Sequence, residues 1–453
     1  MFQLLQSVGR DGRTNIAAKG LTGEGYEGHY FWDTEMYVVP FFLYNNPGIS
    51  RKLLEYRYSI LDRARQRAVT MGVKGALFPW RTINGEECSA YFPAGSAQYH
   101  IDADVAYAIR QYVQVTGDDA FLIDYGAEIL FETARMWADL GDYILRKGNQ
   151  FCINEVTGPD EYSALVDNNC YTNLMARENM RYAYDTVEWM KQRAPEAFRS
   201  LAAKIGLGDH EPDEWQKAAD RMYVPYDDEL IIYKQDDSFL NKQPWDFANT
   251  PPENYPLLIH YHPLVIYRHR VCKQADLVLA LFVLSHLFTP EEKRRNYDFY
   301  EPLTTHDSSL STCTFSIVAS DVGYHDKAYD YFMRTARMDL DDRHGNVKDG
   351  VHIANMAGAW LCLVNGFARM RVYDDLLSLD PYLPRGWDEY QFRLTYRQSF
   401  LSVIVNQAGT TYELLRGPDL TVTHHGEPVL VKSGEPTTRP FSESSPARDA
   451  VPE

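Results

Sequence analysis

The stretch DADVAYAIRQYVQVTGDDAFL, residues 102–122, and the stretch YGAEILFETARMWADL, residues 125–140, carry the pattern that decides the fold. In the first, Val105, Ile109 and Tyr112 recur at the spacing of one helix face. The TGDD segment then supplies a turn and the start signal of a second helix. The pattern predicts two helices joined by a short loop.

The same helical pattern returns along the chain, in segments separated by loops rich in Gly, Asp, Asn and Pro. These segments are TNLMARENMRYAYDTVEWMKQRA (172–194), QADLVLALFVLSHLF (274–288), DKAYDYFMRTARMDL (326–340) and VHIANMAGAWLCLVNGFARM (351–370). Successive helix pairs with long loops predict a mainly α fold, an α/α toroid of the (α/α)6 barrel type. We expect this barrel over residues 21–372, after a short N-terminal lead-in over residues 1–20.

The pattern changes after the last helix, where apolar and polar residues alternate between turn residues. QFRLTYRQ (391–398), FLSVIVNQ (400–407) and LTVTHHGEPVLVK (420–432) are typical of strands. We therefore expect a small C-terminal antiparallel β-domain over residues 373–433. The segment 434–453 is rich in Pro, Ser and Glu and is predicted to be a disordered tail.

Composition excludes several classes of function for a chain of this size. The 453 residues carry a net charge of −18, which argues against nucleic acid or an anionic membrane surface as a partner. The six cysteines form no CxxC pair and no zinc-like cluster with histidine, so no metal site is expected. Scattered cysteines and the lack of a long apolar run predict a soluble protein of a reducing, cytoplasmic compartment.

Two adjacent acids stand in VTGPDEYSALVDNN, residues 156–169, after a Gly-Pro turn. Neighbouring side chains of an extended segment point in opposite directions, so Asp160 and Glu161 cannot both face one bond. Cleavage of a glycosidic bond needs a single protonated acid at the leaving oxygen. A turn that only caps a helix is the alternative.

Two further pairs have side chains that suit a sugar ring. Trp32 offers an apolar face and Asp33 a carboxylate that accepts hydrogen bonds from two hydroxyls. Lys273 and Gln274 offer donors at the start of an apolar helix, where a basic residue opposes the helix dipole. A solvated helix end is the alternative for Lys273.

The later loops lack a clear second carboxylate for an inverting glycosidase. THDSSLST (305–312) and DGVHIANMAG (349–358) instead supply hydroxyls, imidazoles and Gly-rich helix starts. Such groups suit a phosphate oxyanion. A Ser/Thr-rich helix cap is the alternative for the first segment. Asp307, and more weakly Asp349, would be the rival base.

Six segments, taken in order, closely resemble the catalytic domain of the glycoside hydrolase family 65 phosphorylases, which act on maltose, trehalose, kojibiose or nigerose. They are GLTGEGYEGHYFWDTEMYVVPFFLYNNP (20–47), GALFPWRTINGEECSAYFPAGSAQYHIDAD (75–104), VTGPDEY (156–162), RVCKQAD (270–276), THDSSLS (305–311) and DGVHIANMAGAW (349–360). The resemblance extends over roughly residues 15–440.

The resemblance implies roles for the residues of these segments. Glu161 is then the general acid, and phosphate is the co-substrate that attacks the anomeric carbon, with no cofactor. The residues implied to bind the cleaved glucosyl unit are Trp32, Asp33, Lys273 and Gln274, and those implied to bind phosphate are Ser308, Ser309 and His352.

The loop RTINGEECSAYFPAG (81–95) is expected to face the leaving sugar, with Arg81, Glu87 and His100 on the acceptor side. It resembles trehalose phosphorylases more than maltose phosphorylases. We therefore expect inverting phosphorolysis of trehalose, with kojibiose or nigerose as further candidates, by a chain that can pair as a homodimer.

Two alternatives stay open from the sequence. One is a hydrolase of the same family, in which Asp307 or another acid activates water. The other is a non-catalytic sugar-binding remnant, because members of the family usually carry a large β-sandwich before the barrel and this sequence begins almost at the Trp32 loop.

Overall fold

Six helices form a closed inner ring in the computed structural model, which describes residues 1–89, 93–343 and 345–441. Each helix contacts the next one along the chain, and the last contacts the first. The ring consists of Thr34–Val38 continuing as Val39–Asn45, Ile101–Thr116, Cys170–Arg193, Leu277–Val283, Ser311–Asp321, and Ile353–Leu361 continuing as Cys362–Phe367. This closure confirms the predicted mainly α, toroidal fold.

A second layer of helices packs around the inner ring. Its members are Pro47–Ser59, Leu61–Thr70, Asp119–Phe121 continuing as Leu122–Gly126 and Ala127–Leu140, Pro195–Ile205, Glu211–Asp220, Pro290–Tyr300 and His325–Ala336. The short helix Phe2–Ser7 also contacts an inner helix, Ile353–Leu361. The first twenty residues are therefore part of the packed barrel, with Leu4 and Ile16 buried, and are more than the lead-in expected from their weak pattern.

The two helices predicted first form as the pattern indicates. Ile101–Thr116 ends at Gly117, whose φ of +69° is a left-handed conformation that glycine adopts without steric cost. Asp118 then caps the next helix by accepting a hydrogen bond from the backbone N–H of Phe121 at 3.0 Å. The turn therefore sets an inner helix beside its outer partner.

Between the last helix and residue 441, eight strands form two four-stranded sheets. One sheet has the order Thr437–Arg439, Gly409–Arg416, Ser399–Asn406, Glu389–Tyr396, and all its pairs are antiparallel. The other has the order Glu427–Val431, Leu420–His424, Leu376–Leu379, Arg371–Tyr373, and its central pair is parallel. The predicted C-terminal β-domain thus forms, mostly antiparallel, and its first strand begins at Arg371.

The strand Thr437–Arg439 corrects the prediction of a disordered tail from residue 434. Its residues pair with Thr410, Thr411 and Tyr412, and the hydroxyl oxygens of Thr438 and Thr411 lie 2.8 Å apart. The segment forms a strand because the sheet edge at Gly409–Arg416 offers backbone groups for pairing. A short polar stretch does not indicate this pairing by its own sequence. Residues 442–453 of the expected tail lie outside the described residues.

Short elements occupy the loops between the long helices. They are the helical turns Gly25–Gly28, Pro93–Ser96, Leu145–Lys147, Phe239–Asn241, Pro252–Asn254, Leu257–His260, Pro263–Ile266, Ser285–Leu287, Glu301–Leu303 and Val347–Asp349, and the strand pairs Asp142–Ile144 with Gln150–Cys152, Tyr226–Asp227 with Ile232–Tyr233, and Gln243–Pro244 with His269–Arg270. Across the described ranges, no helix has the length and apolar character needed to cross a membrane.

Candidate active site

One cavity at an end of the barrel collects most of the residues predicted to act on substrate. It encloses about 1350 Å³, open solvent at its mouth included. The predicted residues that line it are Trp32, Asp33, Glu161, Lys273, Gln274, Ser308, Ser309 and His352. Segments far apart in sequence therefore meet around one space, as a shared catalytic role requires.

Glu161 lies in this cavity with Lys273 as its partner. Its Oε2 accepts a hydrogen bond from the Lys273 ammonium at 2.5 Å, and its side chain is 16% exposed. Burial lowers the pKa of Lys273, but the charge of Glu161, the hydrogen bond to it and smaller contributions from Tyr26 and Asp160 together leave the pKa above its usual value. Lys273 is therefore a cation beside the candidate acid.

Asp160 points away from the cavity and joins the loop of residues 156–162 to neighbouring segments by hydrogen bonds. Its carboxylate accepts hydrogen bonds from the backbone N–H of Lys273 at 2.7 Å and from the amide of Gln235 at 2.9 Å. Burial raises the pKa of Asp160 to about 6 against these hydrogen bonds. The opposite directions of Asp160 and Glu161 agree with the alternation expected from an extended segment.

Lys273 and Gln274 lie in a loop rather than on the helix, which begins at Leu277. The side-chain amide of Gln274 donates a hydrogen bond to the carbonyl of Pro159, just before the acids. The prediction that Lys273 stands at the start of a helix is therefore wrong. Its ion pair with Glu161 and its backbone hydrogen bond to Asp160 hold it in place instead.

Trp32 and Asp33 form another part of the wall, at the start of an inner helix. Trp32 is only 3% exposed, and its ring meets the ring of His100 edge to face with centroids 5.1 Å apart. Burial raises the pKa of Asp33 to about 7, and the nearby Glu35 and Glu161 add to the rise. An aromatic ring and a carboxylate therefore lie together beside Glu161.

The loop of the two serines runs alongside the Lys273 loop. The backbone N–H groups of Thr305 and Asp307 donate to the carbonyls of Cys272 and Lys273 at 2.8 and 3.1 Å. Ser308 accepts a hydrogen bond from the backbone N–H of Leu310 at 3.2 Å. The acid side of the cavity and the serine side are thus joined by backbone hydrogen bonds.

Asp307, the rival base, lines the cavity but is engaged at one oxygen. Its Oδ2 accepts hydrogen bonds from the Tyr162 hydroxyl at 2.5 Å and from the backbone N–H of Leu257 at 3.0 Å. Burial and then the Asp307 charge raise the pKa of Tyr162 far above its usual value, so that hydroxyl is a lasting donor. Asp307 therefore anchors the segment that contains Leu257.

A buried lysine that the sequence pattern did not single out completes the serine side. Lys19 is 3% exposed, lines the cavity, and donates to Nε2 of His352 at 3.2 Å. Nδ1 of His352 lies 2.6 Å from Asp339, which fits the tautomer with the proton on Nδ1. Burial lowers the pKa of Lys19, and the Asp339 charge opposes the fall.

Two glycines bring the Lys19 loop and the His352 loop together. A methyl group added at Gly23 would stand 2.8 Å from Cα of Gly350, and one added at Gly350 would stand 2.7 Å from Cα of Gly23. Gly350 also has a φ of +116°, in the left-handed region. Only glycine at both positions allows this approach, which places Lys19 next to His352.

Two of the three residues predicted for the acceptor side, Glu87 and His100, are not among those that line the cavity. His100 is fully buried, and its Nδ1 lies 2.7 Å from Asp104, so the ring supports Trp32 from behind. Glu87 accepts hydrogen bonds from the backbone N–H of Trp80 at 2.8 Å and pairs with Arg67 at 3.0 Å. Both side chains form hydrogen bonds or ion pairs with other protein groups.

Arg81 lies just outside the cavity wall. It donates to Glu27 at 2.8 Å and to the carbonyl of Tyr26 at 3.5 Å, and Tyr26 does line the cavity. Tyr26 and Lys19 were both missed from the sequence. Their one signal was position, since both flank the glycines of the GLTGEGYEG segment (20–28).

The cavity offers hydrogen-bond donors and carboxylates rather than a metal-binding set. Among the residues that the structure describes, no group of three or more His, Cys, Asp and Glu side chains has the arrangement needed to hold a metal ion. A candidate acid at Glu161, further carboxylates at Asp33 and Asp307, and a wall of Lys19, His352 and two serines can therefore serve acid-assisted transfer to an anion.

Comparison with known proteins identifies the family of the chain. Residues 1–361 match the glycosyl hydrolase family 65 central catalytic domain, and residues 370–431 match the C-terminal domain of the same family. The α,α-trehalose phosphorylase of Thermoanaerobacter brockii is 56% identical over 96% of this chain. That of Geobacillus stearothermophilus is 55% identical over 98% of the chain.

A solved structure has the same fold. A protein from the human microbiome, assigned as a kojibiose phosphorylase, superposes with a TM-score of 0.90 over 97% of this chain at 33% identity. The chain spans 56% and 58% of the two trehalose phosphorylases and 58% of the solved chain. It thus corresponds to little more than half of each relative.

Proposed function

The chain belongs to glycosyl hydrolase family 65, and from that premise we propose that it catalyses inverting phosphorolysis of an α-linked glucose disaccharide. The observation that carries the proposal is the composition of one cavity. Glu161 lines, together with Asp33 and Asp307, a space whose wall also carries Lys19, Ser308 and His352. Acid and anion-binding groups are the two requirements of this reaction.

Glu161 is the proton donor to the glycosidic oxygen. Its carboxylate accepts a hydrogen bond from the Lys273 ammonium, and a sugar that enters the cavity has to replace that contact. The Lys273 ammonium is then available to the hydroxyls of the glucosyl unit, together with Asp33. This exchange links binding of the sugar to release of the acid.

Phosphate is the nucleophile and needs no separate base, because it arrives already anionic. Two serine hydroxyls and the Lys19 ammonium are suited to its oxygens, since charge-assisted hydrogen bonds to phosphate are strong. Asp339 orients His352 through Nδ1, which leaves Nε2 directed toward Lys19. This side of the cavity therefore favours an oxyanion over neutral water.

The reaction balances with these groups alone. A phosphate oxygen forms a bond to the anomeric carbon as the bond from that carbon to the leaving oxygen breaks. The Glu161 proton moves to the leaving oxygen and gives a free sugar. Attack from the opposite face converts the α-linkage to β-glucose 1-phosphate.

Trehalose is the proposed disaccharide. The support is the identity of 55–56% to two α,α-trehalose phosphorylases over nearly the whole chain, against 38% to the maltose phosphorylase of Bacillus subtilis. In this interpretation the leaving sugar is a second glucose. Inorganic phosphate is the co-substrate, and the absence of any cofactor stays a prediction.

Incubation of the chain with trehalose, with and without phosphate, tests the proposal. We expect glucose and β-glucose 1-phosphate only when phosphate is present, identified by ³¹P nuclear magnetic resonance. Equal cleavage in both samples with only free glucose would instead establish the hydrolase alternative, in which Asp307 or another acid activates water. Sugar binding with no cleavage in either sample would establish a non-catalytic protein.

Three further expectations accompany the reaction. Dialysis against a chelator should leave turnover unchanged, since no metal is required. Pairing of two chains as a homodimer and a cytoplasmic location also stay predictions, of which the first is checked by light scattering of the purified chain.

A further inference from the structure

A buried carboxyl group next to the loop of residues 156–162 has no role in the reaction as described so far. Asp276 follows Lys273 and Gln274 and stands immediately before the helix that begins at Leu277. It is only 2% exposed and is not among the residues that line the cavity. Burial of a carboxylate is unfavourable unless its oxygens accept hydrogen bonds, so the partners of Asp276 indicate what it does.

These partners belong to the loop of residues 156–162 and to the helix start behind it. Oδ2 of Asp276 accepts a hydrogen bond from the backbone N–H of Asp160 at 3.2 Å. The side-chain amide of Asn169 lies 3.1 Å from each Asp276 oxygen and donates to them. Oδ1 of Asn169 accepts from the backbone N–H of Thr172 at 2.9 Å and so caps the helix Cys170–Arg193. Asp276 therefore joins the residue before Glu161 to a fixed helix end.

Gly158 lets the loop lie directly against the Asp276–Asn169 pair. A methyl group added at Gly158 would stand 2.3 Å from Oδ2 of Asp276 and 2.4 Å from Nδ2 of Asn169. A side chain at this position would push the loop away from the pair. The loop is thus held against Asp276 both at Gly158 and at the backbone of Asp160.

The same hydrogen bonds fix the position of Lys273. Its backbone N–H donates to Oδ1 of Asp160 at 2.7 Å. Asp276 thus accepts from the backbone of Asp160, and Asp160 accepts from the backbone of the Lys273 loop. Because the two loops hold each other, their other side chains have a defined separation, and the Lys273 ammonium lies 2.5 Å from Glu161.

We propose that Asp276 is a positioning residue for the general acid, because it holds the loop of residues 156–162 where Glu161 is directed at the leaving oxygen. The inference rests on the proposed function and deepens it, since it assigns a residue outside the cavity wall to the protonation step. Asp276 acts through the backbone of Asp160 and touches neither sugar nor phosphate. Proton transfer requires close and correctly directed groups, so a small displacement of Glu161 lowers the rate.

The electrostatics of Asp276 are those of a group retained for a purpose. Burial, and then the charge of Asp160, raise its pKa well above the usual value, while hydrogen bonds from the Asp160 backbone and from Asn169 oppose the rise. Carboxyl groups with strongly shifted pKa values are concentrated at functional sites. An apolar residue at this position would avoid the unfavourable burial but would leave the backbone N–H of Asp160 without its acceptor.

Two substrates with different leaving groups test the inference. The sugar oxygen of trehalose needs a proton as it leaves, whereas the fluoride of α-glucosyl fluoride leaves without one. Asp276→Asn offers one acceptor oxygen in place of two. With phosphate present, it should lower kcat for trehalose about 10- to 100-fold and leave kcat for α-glucosyl fluoride within about threefold of the wild type. Glu161→Gln should show the same dependence on the leaving group more strongly and serves as the reference.

Two further variants separate positioning from general stability. Asp321→Asn is the matched control, because Asp321 is a buried carboxylate that pairs with Arg371 and is not among the residues that line the cavity. It should keep the wild-type ratio of the two kcat values. Asn169→Ser retains an acceptor for the helix cap but loses the amide that donates to Asp276. It should lower kcat for trehalose alone, about 3- to 10-fold, and keeps the test valid if Asp276→Asn fails to fold.

Equal losses of kcat on both substrates in the folded Asp276→Asn variant, or no loss on either, would overturn the inference. If the wild-type chain turns over neither substrate, the proposed function fails, and hydrogen–deuterium exchange of residues 156–162 decides the inference separately. Faster exchange of this loop in Asp276→Asn but not in Asp321→Asn would support it. Equal exchange in the wild type and Asp276→Asn would contradict it.

Discussion

The Nζ atom of Lys19 lies 3.2 Å from Nε2 of His352, although 333 residues separate them in the chain. Replacement of Lys19 by Met should raise the KM for phosphate about 10- to 100-fold, because a charge-assisted hydrogen bond to the anion is lost. The KM for trehalose should change little. Initial rates at varied phosphate measure the effect, with the exposed Lys191→Met as the control. A similar rise in both KM values would contradict a phosphate-binding role.

Replacement of Glu161 by Gln should lower kcat about 100- to 10,000-fold, because Gln cannot protonate the leaving oxygen. Binding of trehalose to this variant, measured by calorimetry, should remain. Glu86→Gln serves as the control, since the Glu86 side chain is 57% exposed and lies in the loop of residues 81–95. Full turnover in Glu161→Gln would assign the acid role to another residue.

Arg57 and Glu35 form a buried ion pair behind the Trp32–Asp33 segment. The two donor nitrogens of Arg57 lie 2.7 and 2.8 Å from the Glu35 carboxylate, and both side chains are fully buried. Arg57→Met should lower the free energy of unfolding by about 3–5 kcal/mol, because it leaves a buried carboxylate without its partner. Urea unfolding followed by circular dichroism measures this.

The double variant Arg57→Met with Glu35→Met should recover a large part of the stability lost in Arg57→Met, since no buried charge remains. A double variant less stable than Arg57→Met would show that the ion pair is not the source of the loss.

Asp321 joins the barrel to the β-domain and should make stability depend on pH. Its carboxylate accepts hydrogen bonds from Lys293 at 2.8 Å and from Arg371 at 2.8 and 2.9 Å. Burial raises the pKa of Asp321, but the charges of Arg371 and Lys293 outweigh it and leave the pKa below its usual value. The carboxylate therefore adds stability above its unfolded pKa of about 3.9 and loses it as the pH falls through the lower folded value.

The Tm of Asp321→Asn should accordingly lie well below that of the wild type at pH 7. The difference between the two proteins should shrink as the pH drops below about 4, where the wild-type carboxylate takes up its proton. Scanning calorimetry at several pH values measures the difference. A gap that stays constant down to pH 2.5 would mean that the Asp321 charge does not contribute.

The sequence predicted the barrel because each inner helix carries its own apolar pattern, as Val105 and Ile109 do. Alternation along an extended segment separated the directions of Asp160 and Glu161, and the family resemblance then selected Glu161 as the acid. These are local properties. A single stretch of sequence contains them.

The sequence could not decide between two possible uses of a polar side chain. Glu87 and His100 look like sugar ligands in the chain, yet buried backbone N–H groups and Asp104 take up their hydrogen bonds. Lys19 was missed because its neighbours in space, Asn346 and His352, lie 327 and 333 residues later in the chain. Contacts between residues so far apart in the chain leave no pattern within a single stretch of sequence.

The close approach of Gly23 and Gly350 also governs the order in which the two halves of the cavity can be completed. Glu161 and Lys273 can meet once the first three fifths of the chain have folded, whereas Lys19 gains His352 only after the helix that begins at Ile353 has closed the ring. During synthesis on the ribosome, a partly synthesised chain would thus have Glu161 in position before Lys19 and His352 come together to form the phosphate side of the cavity. Ring closure would be the last step in acquiring activity.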